Sequence, residues 1–321
     1  MSAYKELAEK LDKIDNVSIL THKSPDGDCI GGGLALCYWL RSKGKKANVL
    51  NSDGIPERYD FLSQGYEPME FEEQAVVSVD VADTALLGDV LSHYADRIDI
   101  CIDHHKSNKS FAKYSYVDKE ASAVCLVLYE LFEYMGGGYD KLIASCLYTG
   151  IATDTGCFKY QNTTPAAHRA AAGLMEKDVD YENINRRMFD IKSRGRILAE
   201  QRLIGRMKYF ADDAIAIITI TNEMIENYGI DRSELDGFAS IPLTVEGVKI
   251  GITLKQQPDD ENVFKASIRT TEADASALAS EFGGGGHIRA AGCTLNGGAR
   301  DVTKRIVAAA KRYLGNPEFC L

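Results

Sequence analysis

THKSPDGDCIGGG, residues 21–33, directly follows the apolar run VSIL at 17–20. It places His22, Asp26 and Asp28 within seven residues and then adds Gly31, Gly32 and Gly33. Asp and Gly are common in turns, so one reading is a loop that caps a helix. The other is a cation site at the end of a strand. The stretch alone supports both, and the remaining sequence separates them.

VSIL is the first of several strand-like runs, followed by ANVL (47–50), AVVSV (75–79) and IDICI (98–102). Helical patterns fall between and after them. LALCYWLRSKG (34–44) ends at Gly44, with Gly31–Gly33 read as its close-packed start. ASAVCLVLYELFEYM (121–135) runs into Gly136–Gly138, and LIASCLYTGIA (142–152) is apolar throughout. TTPAAHRAAAGLMEK (163–177) offers a capping threonine followed by Pro165. Strands alternating with helices predict an α/β fold with a parallel sheet covered on both faces.

Residues 186–208 are different, with eight Lys and Arg against Asp190 and Glu200. They are read as a connecting helix with a solvated charged face, the alternative being a face turned to phosphates. AIAIITI (214–220), VKIGITL (248–254) and VFKASIR (263–269) then alternate as strands, with helices at 274–282 and 301–314. The expected organisation is a first domain at 1–188, a helical linker at 189–211 and a smaller α/β domain at 212–321.

The 321 residues suffice for two domains, and 45% hydrophobic with 26% charged content is that of a globular chain. No apolar run is long enough to cross a bilayer, and the charged amphipathic start MSAYKELAEKLDKIDN is unlike a signal peptide. A cytoplasmic protein with no membrane partner is expected. The eight cysteines (Cys29, Cys37, Cys101, Cys125, Cys146, Cys157, Cys293 and Cys320) form no CxxC pair, so neither a zinc knot nor a disulfide framework is suggested. The net charge of −10 argues against a protein that coats long duplexes, since phosphate neutralisation drives such binding. It leaves room for a small phosphorylated ligand held locally.

Acids and histidines recur where strands end. His22, Asp26 and Asp28 follow VSIL, Asp80 follows VVSV, and Asp103-His104-His105 follow ICI. Asp154 follows the apolar helix in GIATDTG. Taken singly, each has an ordinary reading as a turn, cap or loop residue. Together they converge, because ligands of an open parallel sheet bind at the carboxyl ends of its strands. Crowded carboxylates repel and raise one another's pKa unless cations neutralise them. Carboxylate and imidazole without thiolate suit Mn²⁺, Mg²⁺ or Fe²⁺. There are enough ligands for two ions sharing a bridging carboxylate, an arrangement that activates water and neutralises an oxyanion in phosphoryl hydrolysis.

HKSPDGDCIGGG (22–33), VDVAD (79–83), DHH (103–105) and ATDTG (152–156) resemble the signature segments of the DHH phosphoesterases. ASIR (266–269) and FGGGGHIRAAG (282–292) resemble the carboxy-terminal domain associated with them. The compact layout is most similar to NrnA-type oligoribonucleases, which also act as phosphatases on 3′-phosphoadenosine 5′-phosphate. The resemblance implies an active site in an interdomain cleft holding two Mn²⁺ ions, with Mg²⁺ or Fe²⁺ as substitutes. His22, Asp26 and Asp80 would hold one metal, and Asp28, Asp80, His104 and Asp154 the other. Asp103 would orient an imidazole, His105 would face the reacting phosphate, and Asp83 is read as structural. In the second domain, Ser267, Arg269, Gly284, Gly285, Gly286, His287 and Arg289 would bind substrate. FKYQNTT (158–164) lines the same site in this reading, through Tyr160 or Asn162.

The implied function is a manganese-dependent exoribonuclease degrading short RNA or DNA oligonucleotides to 5′-mononucleotides. The alternatives are a phosphodiesterase for cyclic or linear dinucleotides, and a nucleotide sensor without turnover. A pyrophosphatase is disfavoured because those of the superfamily carry Asn where His105 stands. A RecJ-type exonuclease is disfavoured because no extra DNA-binding domain fits. The residues leave the oligomeric state open, a homodimer included.

Overall fold

The computed structural model describes residues 2–230 and 232–314, so Cys320 lies outside the described residues. It divides into two compact units, residues 1–191 and 192–321.

The first unit is built on five strands: β1 (Val17–Leu20), β2 (Ala47–Leu50), β3 (Ala75–Val79), β4 (Ile100–Asp103) and β5 (Tyr114–Val117). They form one parallel sheet in the order β2-β1-β3-β4-β5. Its helices are α1 (Ser2–Lys13), α2 (Gly27–Ser42), the short α3 (Gly88–Leu91), α4 (Val124–Tyr134), α5 (Lys141–Asp154), α6 (Pro165–Met175) and α7 (Tyr181–Asn185). Alternate strand residues divide the packing. Val17, Ile19, Val77, Val79 and Ile102 join the main core under the long helices. Leu20 and Val76 turn to the opposite face, with Leu87, Leu91 and Ile98. That second face carries only short turns of helix at residues 84–94 instead of full crossover helices.

Two further expectations are corrected. Helix α2 begins at Gly27, seven residues earlier than the apolar pattern suggested, so all three glycines lie inside it. Asp26 supplies the missing start signal by accepting hydrogen bonds from the amides of Asp28 and Cys29. The glycines are there for close approach. A Cβ on Gly31 would stand 2.5 Å from the Cys146 carbonyl oxygen of α5, and one on Gly150 of α5 would strike Cys125 and Asp28. Strand β5 was not foreseen, since Tyr114–Val117 is short, half-buried throughout and has Val117 as its only aliphatic residue.

The second unit opens with α8 (Arg194–Ile204), whose Ala199 and Leu203 are buried with Ile218, Ile220 and Phe238. Its strands are β6 (Lys208–Phe210), β7 (Ile215–Ile220), β8 (Ile250–Gln256), β9 (Val263–Thr270), β10 (Gly285–His287) and β11 (Ala290–Asn296). They form a sheet in the order β10-β11-β9-β8-β7-β6, in which β7 and β8 are parallel and the other pairs antiparallel. Helices α9 (Asn222–Tyr228), α10 (Ala275–Ser280) and α11 (Ala299–Ala310) complete it. No helix among the described residues is long and apolar enough to cross a membrane.

A candidate metal centre at the carboxyl edge of the parallel sheet

In a sheet of order 2-1-3-4-5, the strand order reverses between β1 and β3, and a crevice opens there beyond the carboxyl ends. His22 follows β1 into that crevice and Asp80 follows β3. Asp28 in the first turn of α2 and Asp154, the last residue of α5, reach it because the glycine-lined contact lets those two helices touch. His104 follows β4, which ends on Asp103.

The ring nitrogens are pinned by their other partners. His104 Nδ1 donates to the Ala121 carbonyl at 3.2 Å, which turns Nε2 towards the acids. That Nε2 lies 3.6 Å from Asp28 Oδ2, 3.5 Å from Asp80 Oδ1 and 3.6 Å from Asp154 Oδ2. His22 Nδ1 donates to the Lys23 carbonyl at 2.8 Å, and its Nε2 stands 3.5 Å from Asp80 Oδ2 and 3.9 Å from Asp26 Oδ1. Such separations exceed good hydrogen bonds. They suit ligands around one ion, since bonds of ~2.1 Å meeting at ~110° set donor atoms ~3.4 Å apart. Asp80 faces both histidines, one oxygen to each. Among the described residues its Oδ1 is buried and has no hydrogen-bond partner, a need of the kind a cation satisfies. Its backbone sits at φ +62°, a conformation that Asp adopts more readily than most residues.

The electrostatics agree. Burial, then repulsion from neighbouring carboxylates, pushes Asp28 up to about 7 and Asp154 up to about 8. Asp80 is also buried, but the His104, His22 and His105 rings around it outweigh burial and hold it below the usual carboxylate range. Burial opposes protonation of His104, yet Asp80, Asp28 and Asp154 raise it to about 10. The cluster thus retains protons where a divalent cation would stand. The residues fit such a group: all the facing donors are oxygen or imidazole nitrogen. Cys29 also lies near His22 and Asp80, but burial lifts its thiol to about 12, so it is a poor ligand for a hard cation.

Asp103 and His105 form an adjoining pair. Fully buried Asp103 accepts from His105 Nδ1 at 2.7 Å, from the amides of His104 and His105, and from Asn108 Nδ2 at 2.6 Å. The imidazole that Asp103 holds is therefore His105, whereas the ring of His104 is held by a backbone carbonyl. Asp83 caps the helical turn at 84–87 and pairs with Lys109, a structural role.

Several supporting groups escaped sequence reasoning. The amides of Val124 and Cys125 at the start of α4 donate to Asp28 at 2.6 and 2.9 Å, so Asp28 caps that helix across space. Asn51 donates to the His22 carbonyl at 2.7 Å. Asn162, expected with Tyr160 to line the substrate site, instead donates to the carbonyls of Asp154 and Ser122, both at 3.1 Å, which commits its amide to the backbone. Asn108 follows the acid-histidine run by three residues, a spacing that offered a signal. Asn108→Ala should lower kcat about ten-fold, a typical cost of a slackened proton-transfer group, while bound metal and KM stay unchanged. Loss of metal in that variant would place Asn108 under the ligands instead.

The remaining expected residues belong to the second unit. Ser267 and Arg269 lie on β9 and point away from the core side occupied by Ala266 and Ile268. The glycine run forms β10, paired with β11. Gly284 and Gly286 answer to that pairing: a Cβ on either would strike Gly292, Ala290 or their neighbours. A Cβ on Gly285 would meet nothing within 4 Å, and Gly285 is exposed, as is His287. Arg289 reaches the Ala273 carbonyl at 3.4 Å.

The model of the DHH family, N-terminal domain, matches residues 16–151, and the DHHA1 domain matches 213–316. The chain is 30% identical over 316 residues to the bifunctional oligoribonuclease and PAP phosphatase NrnA of Thermus thermophilus, covering 96% of this chain and 93% of the relative. It is 22% identical to the protein of the same name from Bacillus subtilis, covering 90% and 92%. Among solved structures, an exopolyphosphatase-related protein from Bacteroides fragilis superposes with a TM-score of 0.86 at 26% identity, over 97% of this chain and 96% of that one.

Proposed function

The chain belongs to the DHH family, and from that premise we propose that it is a two-metal phosphodiesterase of short oligonucleotides. In this reading it releases 5′-mononucleotides from RNAs of a few residues and hydrolyses 3′-phosphoadenosine 5′-phosphate. The observation that carries it is Asp80, whose two carboxylate oxygens face His22 and His104 separately. Two manganese ions, one held by His22, Asp26 and Asp80 and the other by Asp28, Asp80, His104 and Asp154, would supply a nucleophile at neutral pH and neutralise the phosphate.

The chain's own residues do the rest. Asp103 accepts a hydrogen bond from His105 Nδ1 and raises that imidazole above its ordinary pKa, which favours the protonated ring. Its side chain stays 41% exposed, so Nε2 is free to give a proton to the departing 3′-oxygen. Arg269, Ser267 and the Gly285–His287 edge bind the substrate's other phosphate, with Arg269 making the bidentate contact. Arg269 gives one N–H to the Ile268 carbonyl at 3.1 Å and Arg289 one to the Ala273 carbonyl at 3.4 Å, so each guanidinium keeps further N–H groups for an anion.

Purified protein with Mn²⁺ and a 5′-labelled two-residue RNA tests the reading. Mononucleotide should appear with metal and vanish with chelator; binding without turnover would favour a nucleotide sensor. Parallel assays on 3′-phosphoadenosine 5′-phosphate and a cyclic dinucleotide rank the substrates. Arg269→Ala should raise KM about ten-fold or more, the worth of a charge-assisted bidentate contact, with metal content intact. Metal loss in that variant would overturn the assignment of Arg269 to the substrate.

A further inference from the structure

Beyond Asp154 the chain takes a costly path. Gly156, Cys157 and Phe158 have φ of +56°, +57° and +63°, three successive left-handed residues of which two carry side chains. Local bonds hold them there. Cys157 donates its amide to the Ala152 carbonyl at 2.7 Å, and Lys159 and Tyr160 both donate to Thr155 at 3.0 Å. Phe158 stacks on His168 with centroids 5.1 Å apart. The turn folds the chain back so that the Tyr160 ring covers Gly156, where any Cβ would collide with it. Yet Tyr160 remains 61% exposed, and among the described residues its hydroxyl has no hydrogen-bond partner. A braced aromatic ring left in water contributes little to the core. It is what a binding platform requires.

We infer that Tyr160 is a stacking platform for a nucleobase of the substrate, an inference that rests on the nuclease reading above. The ring sits on Gly156, two residues past Asp154, so its backbone anchor is at most ~7 Å from that of the metal-facing acid. This is the scale that separates a phosphate from its own base. Stacking uses the π-face that every base shares, so the platform is tolerant of sequence. The other polar candidates in the segment are committed elsewhere: Asn162 to two backbone carbonyls, and Lys159 over the Phe189 ring at 5.8 Å.

The test uses the full chain loaded with Mn²⁺ and two substrates, a two-residue RNA and the same backbone lacking both bases. Tyr160→Ala and Tyr160→Leu should raise KM for the RNA about 5- to 100-fold, the range of one lost base-aromatic stack, with kcat and metal content held. KM for the abasic substrate should not change. Tyr160→Phe and Tyr160→Trp should retain the parent KM for RNA. Equal losses on both substrates, or an unchanged KM for RNA in the Leu variant, would overturn the inference. If the parent protein releases no mononucleotide at all, the nuclease reading fails first, and Tyr160 falls with it.

Discussion

Asp80→Asn should abolish hydrolysis, by about a thousand-fold or more, and strip the protein of both metals at once. The size follows from what a bridging carboxylate does. It contributes a ligand and a share of its negative charge to each of two ions, and losing both removes several kcal/mol of transition-state stabilisation. Asn is the informative replacement. It keeps the side chain's shape and tolerates the left-handed backbone at φ +62°, whereas Ala would add strain to the loss of charge. His22 and His104 would then lose the carboxylate that outweighs burial, and their pKa values should fall towards the ordinary range. Metal analysis after dialysis, beside single-turnover rates on a two-residue RNA, checks both parts. Retention of one equivalent of metal with slow turnover would show that Asp80 serves one ion, and the bridging assignment would fall. Asp154→Asn gives the contrast: it should weaken the site shared with Asp28 and His104 and leave that of His22 and Asp26 occupied.

The acids were legible because each follows a short apolar strand or helix, and parallel topology gathers such positions at one edge. Asp80 shows the limit of that reading. Its place after AVVSV was visible, but the left-handed backbone that aims its two oxygens apart was not. Nor was the tautomer of His104, which depends on a carbonyl seventeen residues away at Ala121. Backbone carbonyls and amides carry no residue-type signal, so the support of Asp28 by Val124 and Cys125 could not be read either. The start of α2 was misplaced because glycines are poor helix formers in isolation. Here they are demanded by the approach of α5. In the second unit, β7, β8 and β9 alternate cleanly, whereas β10 is written in glycine and carries no period-2 pattern. Its identity as a strand comes from pairing with β11, a tertiary fact.

The metal-free protein should lose stability as pH rises from about 4 to about 8, while metal binds more tightly over the same span. Asp28 and Asp154 hold protons to about 7 and about 8, against about 4 in an unfolded chain. Above pH 4 the unfolded state has shed protons that the folded state retains, so raising the pH favours unfolding. His104 acts in the same direction at higher pH. Its contribution is complete below about 6.5, the unfolded value, and is lost as pH climbs towards about 10. Asp80, held low, contributes stability above pH 4 and loses it only in acid, so it leaves the trend between pH 6 and 8.5 unaltered. A cation must displace the protons on Asp28, Asp154 and the His104 ring, so apparent affinity should rise by several hundred-fold or more from pH 6 to pH 8. Thermal unfolding in chelator at pH 6, 7 and 8.5 should give a falling midpoint, and saturating Mn²⁺ should raise it most at the highest pH. Calorimetry in two buffers of different ionisation enthalpy should detect protons released on binding. A metal affinity independent of pH would mean that these carboxylates are already ionised in the free protein, and the crowded acid cluster would no longer explain why cations are held there.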